Sequence, residues 1–174
     1  MKHRLSYLYS GGYCSQDGVH EMLYGFIIAD VPSTLYLTGD VPVDWQKIVE
    51  CYDNIICLGF LPKNELINFI KNVDFCLCPR NTLFEHVNTT FPSKLLKYMQ
   101  FGRPIVCTCY PGLPPSLMHK LILVNDNTQQ LWCKAFKTLQ DSLNRGQELH
   151  MIDYGGIPET CVSKMLDFVF CDAP

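Results

Sequence analysis

Two glycine residues near the N-terminus could hold an anion. Gly11 and Gly12 directly follow a short apolar run that ends at Ser10. Glycine allows the backbone to approach a ligand closely and to present N–H groups to an anion, and a helix that follows adds its positive end. The same pair is equally compatible with a tight structural turn that needs a positive φ. The motif therefore leaves both interpretations open.

A second segment, residues 91–99, places a hydroxyl and an ammonium group at the start of a predicted helix. Ser93 and Lys94 fall in the first turn of that helix, with Pro92 also expected there because its missing N–H is harmless at that position. Exposed N–H groups, a hydroxyl and an ammonium suit a diphosphate. A lysine at this position opposes the helix dipole, and a bound anion would remove that cost. On spacing alone, a solvated lysine explains the pattern equally well.

Short apolar segments alternate with segments of helical periodicity along the whole chain. The predicted strands are residues 5–10, 34–38, 54–58, 74–78, 104–108 and 121–124. The predicted helices are residues 19–29, 44–52, 63–72, 92–101, 127–143 and 157–170. Strands that are apolar almost throughout indicate a parallel sheet covered on both faces. We therefore predict one α/β domain over residues 1–174, a Rossmann-like, doubly wound parallel sheet of about six strands.

The carboxyl ends of the strands are where a doubly wound sheet binds its ligand. That edge carries Gly11 and Gly12, residues 59–62, the polar loop 79–91 and the proline- and glycine-rich turn 108–115. The polar loop contains Asn, Thr, Glu and His side chains that could contact a ligand. Such a loop is often only solvated, so its composition alone assigns no role.

Composition and charge exclude several classes of protein. Hydrophobic residues make up 48% of the chain and charged residues 18%, as in globular rather than disordered proteins. A net charge of −3 argues against a nucleic-acid partner. No apolar run reaches the roughly 18 residues of a membrane span, and the N-terminal run is too short for a secretory signal. We expect a cytoplasmic protein.

Ten cysteines raise the question of a disulfide or metal scaffold. Cys76 and Cys78, like Cys107 and Cys109, are separated by one residue, which places each pair on one face of a predicted strand. Cysteine in that setting packs as a small hydrophobe, and the C-x-C spacing is unlike that of structural zinc sites. We therefore predict that the cysteines pack in the core, with no metal site and no cofactor.

Residues 91–99, followed by Gly102-Arg103-Pro104-Ile105-Val106, resemble the bacterial glycosyltransferases of family 4, which have the GT-B fold. The C-terminal domains of that family carry a Pro-Ser-Lys helix and then a Gly-x-Pro-Val step. Three further segments agree in the family's order, namely residues 10–26 with its first phosphate loop, 54–66 with its Asn-Ile-x-x-x-Gly-x-Leu segment and 74–79 with its Asp-x-x-Leu-x-Pro strand. The resemblance covers most of the chain and implies the C-terminal, donor-binding half of a two-domain enzyme.

The resemblance implies which residues bind the donor. The two glycines after the first strand would face the diphosphate, and the first turn of the 92–101 helix would lie beneath it. Phe60 and Leu61 would flank the nucleotide base, and residues 88–92 would line the diphosphate and the sugar. The predicted substrate-binding residues are Gly11, Gly12, Phe60, Leu61, Glu85, His86, Asn88, Thr89, Ser93, Lys94 and Lys97.

Four positions depart from the family's pattern. An Arg and a Lys that many members carry fall on Gly12 and Asp17, and the two carboxylates of an E-x7-E motif fall on Thr89 and Lys97. The second of those glutamates usually accepts a hydrogen bond from the ribose, which a lysine cannot do. We therefore expect donor binding that is weakened, altered in specificity or organised by Lys94 and Lys97. Glu85 and His86 lie nearby and could replace part of the missing carboxylate contacts.

The implied function is hexosyl transfer from a nucleotide-diphosphate sugar in polysaccharide or lipopolysaccharide biosynthesis. In that family the acceptor site and the usual catalytic histidine belong to the N-terminal domain, so no catalytic residue is assigned here. The expected partners are the sugar donor and the missing N-terminal acceptor domain, in a parent protein that can associate peripherally with a membrane. Two alternatives stay open, half of a GT-B nucleotide-sugar epimerase and a non-catalytic α/β interaction module.

Overall fold

The computed structural model describes residues 4–146, apart from the side chain of Asn88, and contains a six-stranded parallel sheet. The strands are β1 (Ser6–Ser10), β2 (Thr34–Thr38), β3 (Ile55–Gly59), β4 (Phe75–Cys78), β5 (Ile105–Thr108) and β6 (Ile122–Val124). Their order in the sheet is β3-β2-β1-β4-β5-β6. This is a doubly wound order in which the direction of winding reverses between β1 and β4. The predicted Rossmann-like fold is confirmed.

Helices connect successive strands. They are α1 (Val19–Ala29), α2 (Val43–Val49), α3 (Lys63–Asn72), α4 (Ser93–Gln100), α5 (Pro115–Met118) and α6 (Gln129–Asn144). The sequence did not predict α5 or two short 3-10 turns, Ser15–Asp17 and Glu85–Asn88. The sequence had predicted Pro92 in the first turn of α4. In the structure Pro92 is instead the N-cap residue, with an extended backbone conformation. The predicted helix 157–170 lies outside the described residues.

The two faces of the sheet bury separate hydrophobic cores because successive side chains of a strand point to opposite faces. In β1, Tyr7 packs toward α1 and α6 while Leu8 packs toward α3 and α4. Cys76, Cys78 and Cys107 are fully buried in the second core. For these three cysteines the predicted packing role is confirmed, whereas Cys14 and Cys51 are exposed, so that for them the prediction is wrong. Within the described residues, no helix has both the length and the apolar character that crossing a bilayer requires.

A polar contact fixes the alignment of β1 with β4, the two strands that flank the reversal point. The backbone N–H and the hydroxyl of Ser6 donate to Asp74 Oδ2 at 2.8 and 2.7 Å. Tyr7 then pairs with Phe75 and Leu8 with Cys76. This register sets the carboxyl ends of the two strands side by side, so that the chain leaves β1 and β4 into one crevice.

Gly25 allows α1 and α6 to cross closely. A Cβ atom built on Gly25 would lie 2.5 Å from Trp132 Cβ and 2.9 Å from the carbonyl oxygen of Gln129. Both neighbours belong to the α6 side of the contact, and one of them is backbone that cannot rotate away. The approach of the two helices therefore depends on the missing side chain.

We expect Gly25→Ala to destabilise the fold although alanine favours helix more than glycine does. The added methyl group overpacks the α1–α6 contact, which costs about 1–3 kcal/mol in a packed interior. Urea unfolding measures the change, with Ile28→Ala on the exposed side of the same helix as the control. Equal stability of Gly25→Ala and the unmodified chain would show that the two helices separate freely.

Candidate functional site

The turn that follows β1 is shaped by the absence of a side chain at Gly11. A Cβ atom on this residue would lie 2.9 Å from Lys94 Nζ and 3.3 Å from Tyr9 Oη. The Gly11 N–H points at Thr38 O, 3.4 Å away. Gly11 therefore gives close access to the ammonium group, while its own N–H is used within the fold. This refines the expectation that its backbone would present a donor to a ligand.

Lys94 joins the first turn of α4 to the end of β1. Its Nζ donates to Tyr9 Oη at 2.8 Å and to Asp17 Oδ1 at 3.2 Å, and it lies 4.5 Å from the centre of the Tyr9 ring. The Tyr9 hydroxyl donates in turn to the carbonyl oxygen of Gly12. The Lys94 side chain is 13% exposed. The alternative interpretation of Lys94 as a solvated lysine is therefore wrong.

Asp17 brings a carboxylate to the same place. Its Oδ2 accepts a hydrogen bond from the Cys14 N–H at 3.2 Å and lies 2.9 Å from the position of a Cβ on Gly12. The residue ends the 3-10 turn that precedes α1. A backbone N–H and the Lys94 ammonium thus converge on one anionic group, as they would on a bound phosphate.

Two tyrosines, Tyr9 and Tyr98, contact the residues around Lys94, and the sequence had not predicted them as part of the site. Tyr98 Oη accepts a hydrogen bond from the Ser10 N–H at 2.9 Å, which ties α4 to the last residue of β1. Burial raises the pKa of Tyr98 well above its ordinary value, and burial together with the charge of Asp17 does the same for the pKa of Tyr9. Both phenols therefore stay neutral at physiological pH. In the sequence, Tyr9 stands close to Gly11 and Tyr98 stands one helical turn after Lys94. These positions could have indicated that both tyrosines belong to the site.

The polar loop after β4 is held against the β1–α1 segment. In its 3-10 turn, His86 Nε2 lies 2.7 Å from Gln16 Oε1, and the Asn81 N–H donates to the Gln16 carbonyl oxygen at 3.1 Å. The Thr89 hydroxyl donates to the His86 carbonyl oxygen at 3.1 Å. Glu85 begins the turn and is exposed. Of the predicted loop residues, His86 is thus held against the β1–α1 segment by a side-chain contact, and Thr89 contacts the loop itself.

Arg80 organises the same loop from its base. Its Nη2 donates to the Val87 carbonyl oxygen at 3.0 Å and to the Thr90 hydroxyl at 2.8 Å. The guanidinium also lies 5.3 Å from the centre of the Tyr110 ring. Sequence reasoning missed Arg80, although an arginine directly after a buried strand at this edge was visible. These hydrogen bonds hold the loop in place, so Arg80 positions the loop.

Lys97 is a buried cation, 6% exposed, on the same helix as Lys94. Burial, together with the positive charges of Lys94 and of Lys63, lowers the pKa of Lys97 to about 8. The ammonium therefore carries its charge at neutral pH against an unfavourable environment. Ser93, by contrast, is exposed in the first turn of α4. An anion near this group of lysines would gain from all three charges.

The predicted base-binding residues lie farther along the same edge. Phe60 follows β3 and is 68% exposed, and Leu61 is half-buried and packs against the second core. Because β2 separates β3 from β1, the two residues lie two strands away from Gly11. The structure thus brings Gly11, Gly12 and Lys94 into one cluster, and places Phe60 and Leu61 at the far end of the crevice.

Solved structures of sugar-transferring enzymes share this fold. The chain is similar to sucrose-phosphate synthase from Thermosynechococcus elongatus, with a TM-score of 0.65 at 15% identity over 99% of this chain and 47% of that one. The catalytic domain of cholesterol-α-glucosyltransferase from Helicobacter pylori matches with a TM-score of 0.62 at 13% identity. The match covers 95% of this chain and 99% of that one. Anabaena HepE in complex with UDP and glucose gives 0.61 at 13% identity, over 98% of this chain and 49% of that one.

This chain therefore spans about half the length of HepE and of the synthase. No curated protein sequence matches it significantly. A family model described as "Glycosyl transferases group 1" does match, over residues 7–142. That match runs from β1 through nearly all of α6 and includes the Lys94 cluster. The chain belongs to the group 1 glycosyl transferases, and its fold is that of one half of a GT-B enzyme.

Proposed function

We propose that this chain binds the nucleotide-diphosphate sugar of a family 4 glycosyltransferase at the carboxyl edge of β1 and β4. The cluster of Gly11, Lys94 and the first turn of α4 carries the proposal, because it gathers a cation and helix N–H groups where the winding of the sheet reverses. Ligands of doubly wound sheets bind at that point. The UDP in the HepE structure and the UDP-glucose in a second HepE complex support a nucleotide sugar as the ligand.

The same cations can assist the transfer step. When the bond between the sugar C1 and the diphosphate oxygen breaks, the sugar passes to the acceptor oxygen and negative charge grows on the departing nucleoside diphosphate. Lys94 and the positive end of α4 would stabilise that growing charge, which is an electrostatic contribution to the transition state. Lys97 would add to it from the next turn of the helix. These residues bind and stabilise the leaving group, and the acceptor is activated elsewhere.

The remaining parts of the activity are assigned to a second domain. In the pattern that the sequence resembles, the acceptor site lies in an N-terminal half, and the HepE chain is about twice as long as the part matched here. A lipopolysaccharide outer core galactosyltransferase, WaaB, shares the fold with a TM-score of 0.60 at 18% identity over 50% of its chain. We therefore propose hexosyl transfer in polysaccharide or lipopolysaccharide synthesis, on the cytoplasmic side of a membrane, by a two-domain parent.

A non-catalytic role is the second candidate, and one observation favours it. Asp17 already neutralises the ammonium that would bind the diphosphate, and Lys97 takes a position where the family carries a carboxylate. A module that has lost its ligand would keep such an internal ion pair for stability. Nucleotide binding by the chain distinguishes the two candidates.

Lys94→Ala should weaken the binding of uridine diphosphate by about tenfold or more, because it removes a charge-assisted contact from the crevice. Calorimetry measures the dissociation constant, and Lys137→Ala on the exposed side of α6 is the matched control. Amide NMR shifts at Gly12 and Ser93 should accompany binding. Absence of binding at millimolar nucleotide, or identical affinity in Lys94→Ala, would favour the non-catalytic candidate.

Nucleotide binding should also depend on pH through Lys97. The pKa of about 8 means that the ammonium is mostly charged at pH 7 and mostly neutral at pH 9.5. Wild-type protein should therefore lose affinity for uridine diphosphate as the pH rises through 8, relative to a Lys97→Met variant measured at the same pH. Comparison with the variant cancels the titration of the nucleotide itself. A constant ratio between the two proteins across this range would contradict a role for the Lys97 charge.

A further inference from the structure

The Asp17 carboxylate lies where the proposed function puts a phosphate of the ligand. It takes two donors of the crevice, the Lys94 ammonium through Oδ1 and the Cys14 N–H through Oδ2, each at 3.2 Å. Its Oδ2 lies 2.9 Å from the position of a Cβ on Gly12. Carboxylates and phosphates bind the same kinds of donors, so one anion excludes the other from this position.

The backbone next to Asp17 is closely packed, so the side chain is the part that can move without disturbing its neighbours. Gly18 follows with a φ of +68°, and a Cβ there would lie 2.6 Å from Asn127 Nδ2 and 2.8 Å from the Arg80 carbonyl carbon. The turn is thus packed closely against its neighbours. The Asp17 side chain itself remains 19% exposed. Rotation about its side-chain bonds can move the carboxylate out of the crevice without rebuilding the turn.

We propose that Asp17 is an internal competitor for the phosphate-binding position, and that a nucleoside diphosphate binds by displacing its carboxylate from Lys94. The inference rests on the proposed function and adds a control of affinity to it. Free protein keeps Lys94 neutralised by its own chain, so mononegative or weakly held anions do not displace Asp17. A diphosphate, with its higher charge and its greater number of acceptor oxygens, does.

The proposal predicts that removing the Asp17 charge increases the affinity for the ligand. Asp17→Asn keeps the shape of the side chain and an oxygen that can accept the Cys14 N–H, but it removes the competing charge. Uridine diphosphate should then bind roughly tenfold tighter than to the wild type. Inorganic pyrophosphate should gain by a similar factor. If Asp17 instead orients Lys94 for the ligand, the same variant binds more weakly.

The experiment compares four proteins by calorimetry with uridine diphosphate and with inorganic pyrophosphate. They are the wild type, Asp17→Asn, Asp17→Ser and Asp44→Asn, in which an exposed acid in the first turn of α2 loses the same charge. Thermal unfolding checks that each protein is folded. If Asp17→Asn does not fold, Asp17→Ser replaces it in the comparison. Tighter binding in the Asp17 variants, with Asp44→Asn unchanged, supports the competitor. Equal tightening in Asp44→Asn would overturn it, because overall charge would then explain the effect.

The two ligands separate failure of this inference from failure of the proposed function. If the Asp17 variants bind pyrophosphate more tightly and no protein binds uridine diphosphate, the role of Asp17 as a competitor is supported. The nucleotide-sugar function is then rejected. Uridine diphosphate binding that is equal or weaker in both Asp17 variants keeps the function and overturns the competitor. If no protein binds either ligand, the position is not an anion site and both proposals fall.

Discussion

The contact of Lys94 with Tyr9 and Asp17 is the interaction on which the crevice depends. It spans the carboxyl edge of the sheet, because α4 packs on one face while Tyr9 belongs to the core on the other. The ion pair is largely shielded from water, where opposite charges interact more strongly than on a surface. It holds the first turn of α4 over the end of β1. The hydrogen bond from the Ser10 N–H to Tyr98 Oη ties the next turn of α4 to the same strand.

The sheet could be predicted from the sequence because its strands are apolar on both faces. That pattern predicted the strand Thr34–Thr38, and helical periodicity predicted the helices Val19–Ala29 and Lys63–Asn72, each with the bounds that the structure has. Connections in such sheets are right-handed, which left few alternatives for the strand order. The elements that escaped prediction, α5 and the two 3-10 turns, have three or four residues each. Segments that short show no period that could distinguish them from loops.

The site was only partly predictable, since its contacts join residues that are distant in the sequence. Gly11 and Lys94 were expected at one edge because both follow parallel strands, and the structure places them together. The partners of Lys94 lie 77 and 85 residues away in the chain, and Tyr98 reaches Ser10 across 88 residues. Spacing carries no information about such pairs. The packing of α4 on the sheet brings Lys94 to Tyr9 and Asp17, and brings Tyr98 to Ser10.

The charges of the crevice act as one unit, with consequences for any anion that binds. The positive charge of Lys94 is one cause of the lowered pKa of Lys97. Asp17 compensates that charge in the free protein, and a diphosphate carries more negative charge than the carboxylate it would replace. Binding would therefore raise the pKa of Lys97 and draw a proton onto it in weakly alkaline solution, because affinity and protonation are thermodynamically linked. Two lysines one turn apart on α4 would thus take over the part that the resembling family assigns to basic residues after β1.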